Sequence, residues 1–437
     1  MTLSVTGVSA PAKRFLATLL PIALLSAPLP LLAQPASSGT AELPNGQLPL
    51  EDIQTFAEVF ERIKRGYVEE VDDSTLLRNA MRGMLSELDP HSAYLDKEEY
   101  RSLRESTQGE FGGIGIEVGT ESGQLMIITP IDDTPASRAG LLSRDIIVAI
   151  DDTPTNSISL QEAVNLMRGE PGTDLRISIM RSGEDSPREF TLTREVMRTE
   201  SVKHELLEPG YGYLRISQFQ SSTPEQAREA LERMGREQPL EGLILDLRNN
   251  PGGVLQAAVG IVDLFLDEGL IVYTEGRLSD TEMSFSASPS TPAGNIPLVV
   301  LVNGGSASAA EIVAGALQDQ RRGVIMGTDS FGKGSVQQIM PLGNGEGLKL
   351  TTALYYTPNG RSIQAQGIEP DVDVVRGRLE VAESRREIRE ADLEGHLSSQ
   401  QAPRDRQEMD ERLLNDYQLS EALNLLKALN VVERQRR

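Results

Sequence analysis

Residues 297–320 read PLVVLVNGGSASAAEIVAGALQDQ, an apolar strand-like run that gives way through glycine to a helix. LVVLV is apolar without alternation, as a parallel strand buried on both faces requires. The same change of rhythm recurs around it. YGYLRISQF precedes TPEQAREALERMGRE, LEGLILDLRNN precedes GGVLQAAVGIVDLFL, and GVIMGT follows the quoted stretch. Strand, helix, strand, helix from residue 211 onward predicts an α/β domain. The strand-to-helix junction also holds two serines, Ser306 and Ser308, and no histidine is near them in sequence.

Outward from this domain the chain changes character twice. Residues 109–119, GEFGGIGIEVG, lead into short strands, LMIITP, DIIVAID, LRISIMR and EFTLTRE. The brief helices PASRAG and LQEAVNLMRG separate them, so a compact, partly open barrel is expected over 107–197. Before it, Ile53, Phe56, Val59, Phe60 and Ile63 recur at helical spacing, and Leu76, Leu77, Ala80, Met81 and Met84 mark a second helix. That helix stops at Asp89-Pro90, so 50–106 reads as a helical region. After Val375 the sequence is highly charged and closes on an amphipathic helix carrying Leu419, Ala422, Leu423, Leu426 and Leu429. That helix can pack on its own protein or serve an oligomer contact.

Composition narrows the function. At 437 residues two or three domains are expected. Lys plus Arg number 42 against 65 Asp plus Glu, a formal charge of -23 that repels phosphate backbones, so nucleic acid is not an expected partner. The absence of cysteine excludes thiol nucleophiles, disulfides and thiolate metal sites. Three scattered histidines, His91, His204 and His396, offer no zinc pattern. Neither a metal nor another cofactor is expected. Lys13 and Arg14, then an apolar run and small residues near Ala33, form a secretory signal pattern over 1–33, followed by a leader to residue 49. Cleaved or kept as an anchor, it directs the chain out of the cytosol, and a periplasmic location is expected.

A serine needs a base to take its proton. With no cysteine and few histidines, lysine is the remaining candidate. It must be neutral, which asks for a pKa lowered by roughly three units, about 4 kcal/mol; apolar burial can supply this. Lys333, between Gly332 and Gly334 in FGKGSVQ, fits that need, although spacing alone equally allows an ordinary turn lysine. If a strand runs on from it, Lys333 and Gln337 share a face and Gln338 points away. Ser308 opens Ser-Ala-Ala-Glu, a capping box with Glu311. Read locally it can merely cap its helix. The same geometry offers an oxyanion the Ala309 amide, with Gly252 or Gly253 of DLRNNPGG as a second donor.

GEFGGIGIEVG, LDLRNNPGG, NGGSASAAEIVAGALQD and FGKGSVQ, in this order, resemble the carboxyl-terminal processing peptidases, or tail-specific proteases. VFERIKRGYVEEVDD, LDPHSAYL and DYQLSEALNLLKAL resemble the same family, so the likeness spans about 55–375 and the end. The resemblance implies a multidomain α/β (α+β) chain: a crotonase-like ββα protease core over 198–375, an inserted PDZ domain over 107–197, and helical ends, the last over 376–437. It implies a Ser-Lys dyad in which the nucleophile is the second serine of Gly-Ser-x-Ser and the lysine lies 25 positions on. That selects Ser308 over Ser306, with Lys333 as base and Gln337 as the family's glutamine. Ala310 departs from the serine many relatives carry there, without touching the dyad.

By the same likeness, Gly113, Ile114, Gly115 and Ile116 form the loop that captures a substrate's carboxyl terminus, through the amides of Ile114, Gly115 and Ile116. The expected substrates are proteins with apolar carboxyl termini, among them envelope proteins, with a lipoprotein adaptor as a possible partner and a homo-oligomer as the assembly. A catalytically silent PDZ scaffold is the alternative. A crotonase-type acyl-coenzyme A enzyme, which would share the core, conflicts with the secretory signal.

Overall fold

The computed structural model describes residues 49–121, 123–289, 291–379 and 411–436. The signal and leader expected at 1–49 (all but the last residue) and much of the charged carboxyl-terminal run lie outside the described residues. The chain divides into two compact units, 1–72 and 73–437. In the first, helix α1 (Leu50–Gly66) starts with Glu51 and Asp52 and ends with Lys64 and Arg65, charges that complement its dipole. Its Ile53, Phe56, Val59 and Ile63 are exposed.

The second unit opens with α2 (Asp73–Ser86), strand β1 (Ala93–Leu95) and α3 (Lys97–Gln108). Asp96 and Glu99 form a reciprocal capping box at the start of α3, and Gly109 closes it in the left-handed conformation. Then come β2 (Glu110–Gly113), β3 (Ile116–Glu121), β4 (Gln124–Pro130), α4 (Pro135–Ala139), β5 (Ile146–Ile150), β6 (Thr153–Pro154), α5 (Leu160–Met167), β7 (Asp174–Met180), β8 (Arg188–Thr193) and β9 (Glu195–Arg198). β2 and β9 pair as a two-stranded stem. The strands between them form a sheet in the order β3-β4-β5-β7-β8, with β6 on β5. Ile127, Ile147, Ile150, Leu175, Ile177 and Ile179 fill its core against Ala163 and Met167 of α5. Among the described residues β3 has one paired edge and one open edge.

The remainder comprises β10 (Val202–Glu208), β11 (Tyr211–Ile216), α6 (Thr223–Glu237), β12 (Gly242–Asp246), α7 (Leu255–Asp263), β13 (Leu270–Gly276), β14 (Ser284–Ser286), β15 (Leu298–Val302), α8 (Ala309–Asp319), β16 (Val324–Gly327), β17 (Ser335–Pro341), β18 (Gly347–Tyr356), β19 (Val372–Asp373), α9 (Glu411–Asn415) and α10 (Tyr417–Arg436). One sheet runs β10-β11-β12-β15-β16-β19, parallel except for β10. The unbroken LILDL and LVVLV runs follow from its two covered faces. Leu243, Leu245, Leu298, Val300 and Val302 enter the core shared with α6, α7 and α8. Ile244, Val299 and Leu301 pack instead with Leu419, Ala422, Leu423 and Leu426 of α10. The final amphipathic helix therefore packs on its own sheet.

A second, antiparallel sheet has the order β1-β18-β13-β14, with β17 on the other edge of β18. It was poorly legible in sequence. β1 is three residues long and exists through pairing with Gly347, Leu348 and Lys349, inside a region that reads as purely helical. β17 begins at Ser335, after Lys333, and its pairing shifts register between Val336 and Gln337. The simple alternation expected from Lys333 onward is thus replaced by a turn and a bulge.

Replacing Leu423, almost wholly buried, by alanine should destabilise the second unit by about 3 kcal/mol, the range for a large-to-small core change. Urea unfolding followed by circular dichroism measures this. A loss below about 1 kcal/mol would mean that α10 contributes little to the sheet.

Candidate active site

The turn between β15 and α8 is held before any side chain does chemistry. Ser306, fully buried, donates its hydroxyl to the Leu247 carbonyl at 2.8 Å and accepts the Asn303 amide at 3.0 Å. This serine is consumed in joining β15 to the end of β12. Ser308 adopts φ 55° and ψ -115°, a conformation sparsely populated by residues with a Cβ. Its surroundings enforce it. The Ser308 amide donates to Glu311 Oε2 at 2.7 Å, and its carbonyl accepts from the amides of Glu311 and Ile312 at 2.9 and 3.0 Å. Gly252, at φ 98°, lies so close that a Cβ there would stand 2.7 Å from the Cβ of Ser308. Only glycine fits.

Glu311 is completely buried and accepts four hydrogen bonds. Besides the Ser308 amide, Oε2 takes the Lys333 amide at 2.9 Å; Oε1 takes the Ser330 hydroxyl and the Gly332 amide, each at 2.6 Å. One carboxylate thus ties the first residue of the α8 turn to the loop carrying Lys333. The fully buried Tyr355 of β18 donates its hydroxyl to the Lys333 carbonyl and lies beside the Ser308 hydroxyl. Burial holds this phenol protonated, well above its ordinary range.

Lys333 is half-buried, and its pKa lies below the ordinary lysine value of 10.5. Loss of water contact is the largest cause, and repulsion from Lys349 adds to it; Asp89 and Glu311 pull the other way. Asp89 belongs to the turn after α2, where it accepts the amides of His91 and Ser92 at 2.7 and 2.9 Å, the Ser92 hydroxyl at 2.6 Å and the Thr351 hydroxyl at 3.1 Å. These bonds bring His91 into the electrostatic neighbourhood of Lys333, and burial together with that cation lowers its pKa.

The amide of Gly252 donates to Asn250 Oδ1 at 2.8 Å, while fully buried Asn250 donates to the Ile216 carbonyl and accepts the Ala307 amide. The carbonyls of Gly252 and Phe219 are engaged with the amides of Phe219 and Val254. The amides of Gly253 and Ala309 form no hydrogen bond among the described residues. Arg248 anchors this loop from behind. It is bidentate to Asp416 at 2.8 Å and forks onto buried Asp246 at 2.8 and 3.0 Å.

Ser308, Lys333, Gln337, Gly252 and Gly253 line one cleft of about 620 Å³, together with Ile312, Val336, Ile339, Lys349 and Tyr355. Gln337 and Gln338 both border it. The Gln337 amide group is committed to Ser335 at 3.0 Å and to Thr351 at 3.4 Å, and its donors do not point to Lys333. Glu311 stood in the sequence as a capping-box residue. Tyr355, Asn250 and Asp89 carried no local signal, because their roles arise from strands and turns distant in the chain.

The glycine loop expected to receive a carboxyl terminus lies apart from the cleft residues in sequence, at the start of the open edge strand β3. Gly113 ends the β2 stem, paired with Glu195. The carbonyls of Ile114 and Gly115 accept the amides of Ala136 and Ile131, each at 2.9 Å, and Gly115 sits at φ 77° against Thr134. The Ile114 and Gly115 amides form no hydrogen bond among the described residues. Ile116 begins β3, opposite Pro130. Anchored carbonyls and unused amides at a strand edge form a nest for an anion.

Three families match successive parts of the chain: the Activating protease CtpB N-terminal domain over residues 32–99, the PDZ domain over 112–192, and Peptidase family S41 over 210–374. A carboxy-terminal-processing protease of Bartonella bacilliformis is 43% identical over 418 residues, covering 92% of this chain and 93% of that protein. A carboxyl-terminal-processing protease of Synechocystis is 42% identical over 311 residues, covering 70% of this chain and 72% of that one.

Glu311→Ala should leave four donors without their acceptor, a loss of at least about 4 kcal/mol at roughly 1–3 kcal/mol for each unsatisfied group. Chemical denaturation tests it; stability equal to the parent chain would contradict the central place given to this carboxylate.

Proposed function

We propose, for a chain that belongs to the carboxyl-terminal processing proteases of peptidase family S41, that peptide bonds are cleaved by a dyad of Ser308 and Lys333. The chain is a serine-type peptidase with a PDZ domain. The observation that carries the dyad is the common cleft of Ser308 and Lys333, whose loops are bound to the same Glu311 carboxylate.

Neutral Lys333 takes the proton of the Ser308 hydroxyl as its oxygen attacks the peptide carbonyl. The tetrahedral oxyanion receives the amides of Ala309 and Gly253. Gly253 is supported over Gly252 because the Gly252 amide is already bonded to Asn250. The Lys333 ammonium then returns the proton to the leaving nitrogen and the carbon–nitrogen bond breaks, leaving an acyl ester on Ser308. Neutral again, Lys333 activates a water that hydrolyses the ester. Gln337 braces the bulged strand beside the lysine through Ser335 and Thr351.

The PDZ domain selects the substrate. An apolar carboxyl-terminal tail adds to the open edge of β3, with its carboxylate on the amides of Ile114, Gly115 and Ile116. The signal-like residues around Lys13, Arg14 and Ala33 support action in the periplasm; on the family likeness, the substrates are envelope proteins, the assembly is a homo-oligomer and a lipoprotein adaptor is a partner. Among the described residues no helix is long and apolar enough to cross a membrane.

Ser308→Ala and Lys333→Ala, each folded by circular dichroism, should lose cleavage of an apolar-tailed protein by roughly four orders of magnitude or more. Full activity of either variant would remove the dyad. For the parent enzyme kcat/KM should rise with pH and level off below 10.5, because the neutral form of Lys333 is the active one and its pKa is lowered. His91, Lys349, Asp89 and Glu311 are the titratable neighbours that shape this limb. A profile still rising beyond 10.5 would contradict a buried base.

A further inference from the structure

The cleft holds a second lysine that the proteolytic chemistry does not use. Lys349 lies in β18 directly opposite Ile339 of β17, and both border the cleft that contains Ser308 and Lys333. Opposed residues in an antiparallel pair project on the same side. Gln337 and Thr351, two positions along and on that same face, are joined by a hydrogen bond. Lys349 is part-buried and forms no ion pair or side-chain hydrogen bond among the described residues. It is near enough to Lys333 and His91 to repel charge on both. The other charged residue bordering the cleft, Asp280, is exposed; the remainder is apolar or neutral.

An ammonium at the cleft with no paired anion among the described residues can take one supplied by a ligand. The chain as a whole carries a formal charge of -23, so a cleft bearing the Lys349 ammonium is an exception to its acidic character and attracts anions. Beside Lys349, β17 pairs only with β18, leaving one strand edge unpaired among the described residues. An extended peptide can occupy such an edge.

Resting on the peptidase reading above, we propose that Lys349 binds a carboxylate of the peptide lying in the cleft, within a few residues of the bond that Ser308 attacks. The carboxylate is either the peptide's own terminus or an acidic side chain near it. This is a second carboxylate site, distinct in sequence and in fold from the glycine loop at β3, and it selects substrates at the reaction centre.

The test compares three peptides of one cleavable sequence: a free-acid tail, an amidated tail, and an amidated tail with a glutamate placed near the cleavage point. Each is assayed with the parent enzyme, Lys349→Gln and Lys349→Arg. In the parent, at least one carboxylate-bearing peptide should exceed the neutral amide in kcat/KM by roughly ten- to hundredfold, as expected for a charge-assisted hydrogen bond. That ratio should fall in Lys349→Gln, to one for the glutamate peptide and to whatever capture at β3 sets for the free acid, and persist in Lys349→Arg. The preferred peptide identifies terminus or side chain. Capture at β3 is the same in all three enzymes, so it cannot produce a loss specific to Lys349→Gln. A parent that cleaves all three peptides equally, or a ratio unchanged in Lys349→Gln, overturns the proposal while leaving the peptidase intact. A parent that cleaves none of them overturns both.

Discussion

One buried carboxylate organises the catalytic region. Glu311 faces inward from the first turn of α8 and takes bonds from Ser308, Ser330, Gly332 and Lys333. A buried acidic group is tolerated only where its oxygens are satisfied, and here the donors belong to two separate segments. Satisfying Glu311 therefore brings together the strained Ser308 turn and the loop of the lysine. The strain at Ser308 is held by the same bonds, which is how an unfavourable backbone conformation persists in a folded chain.

A second set of constraints reaches the cleft from the opposite face of the parallel sheet. Asp246 ends β12 in the core, where it receives Tyr213, Arg215 and Arg248. Arg248 is also clamped by Asp416 at the entrance to α10. Burial opposes the charge on both groups, but the carboxylates of Asp246 and Asp416 outweigh it and keep Arg248 firmly charged, while Arg248 in turn holds Asp416 below the usual carboxylate range. Two residues beyond Arg248, Asn250 accepts the amides of Gly252 and Ala307, both of which adjoin Ser308. The carboxyl-terminal helix is thus joined, through one arginine, to the backbone beside Ser308.

The inserted domain has its own core and connects to the protease core through the β2–β9 stem. The unused amides of the two domains consequently lie in different backbone settings. At β3 the open strand edge and unused amides of Ile114 and Gly115 suit a peptide terminus. At α8 the amides of Ala309 and Gly253 suit a transient oxyanion. Both exploit glycine, for different reasons: Gly115 turns the chain against Thr134, and Gly252 lets two loops touch.

Much of this was legible in the residues. LVVLV and LILDL announced strands covered on both faces, because such strands have no solvent side on which to place polar residues. The lack of cysteine and the scarcity of histidine directed attention to a lysine base, and family likeness distinguished Ser308 from Ser306. Local pattern could not do so, since a serine beginning a capping box looks the same whether its hydroxyl caps or reacts. The antiparallel sheet was mostly hidden: β1 has no stability of its own, and the bulge in β17 breaks the alternation that announces a strand. By itself the sequence determined the classes of element, the order of the domains and the chemical types available for catalysis. Only the tertiary structure decided which glycine amide is unused, where Gln337 is spent, and that Tyr355, Asp89 and Lys349 gather around Lys333. Periodicity reports which face of an element is buried, whereas these contacts join residues far apart in the chain, and only folding brings them within reach of one another.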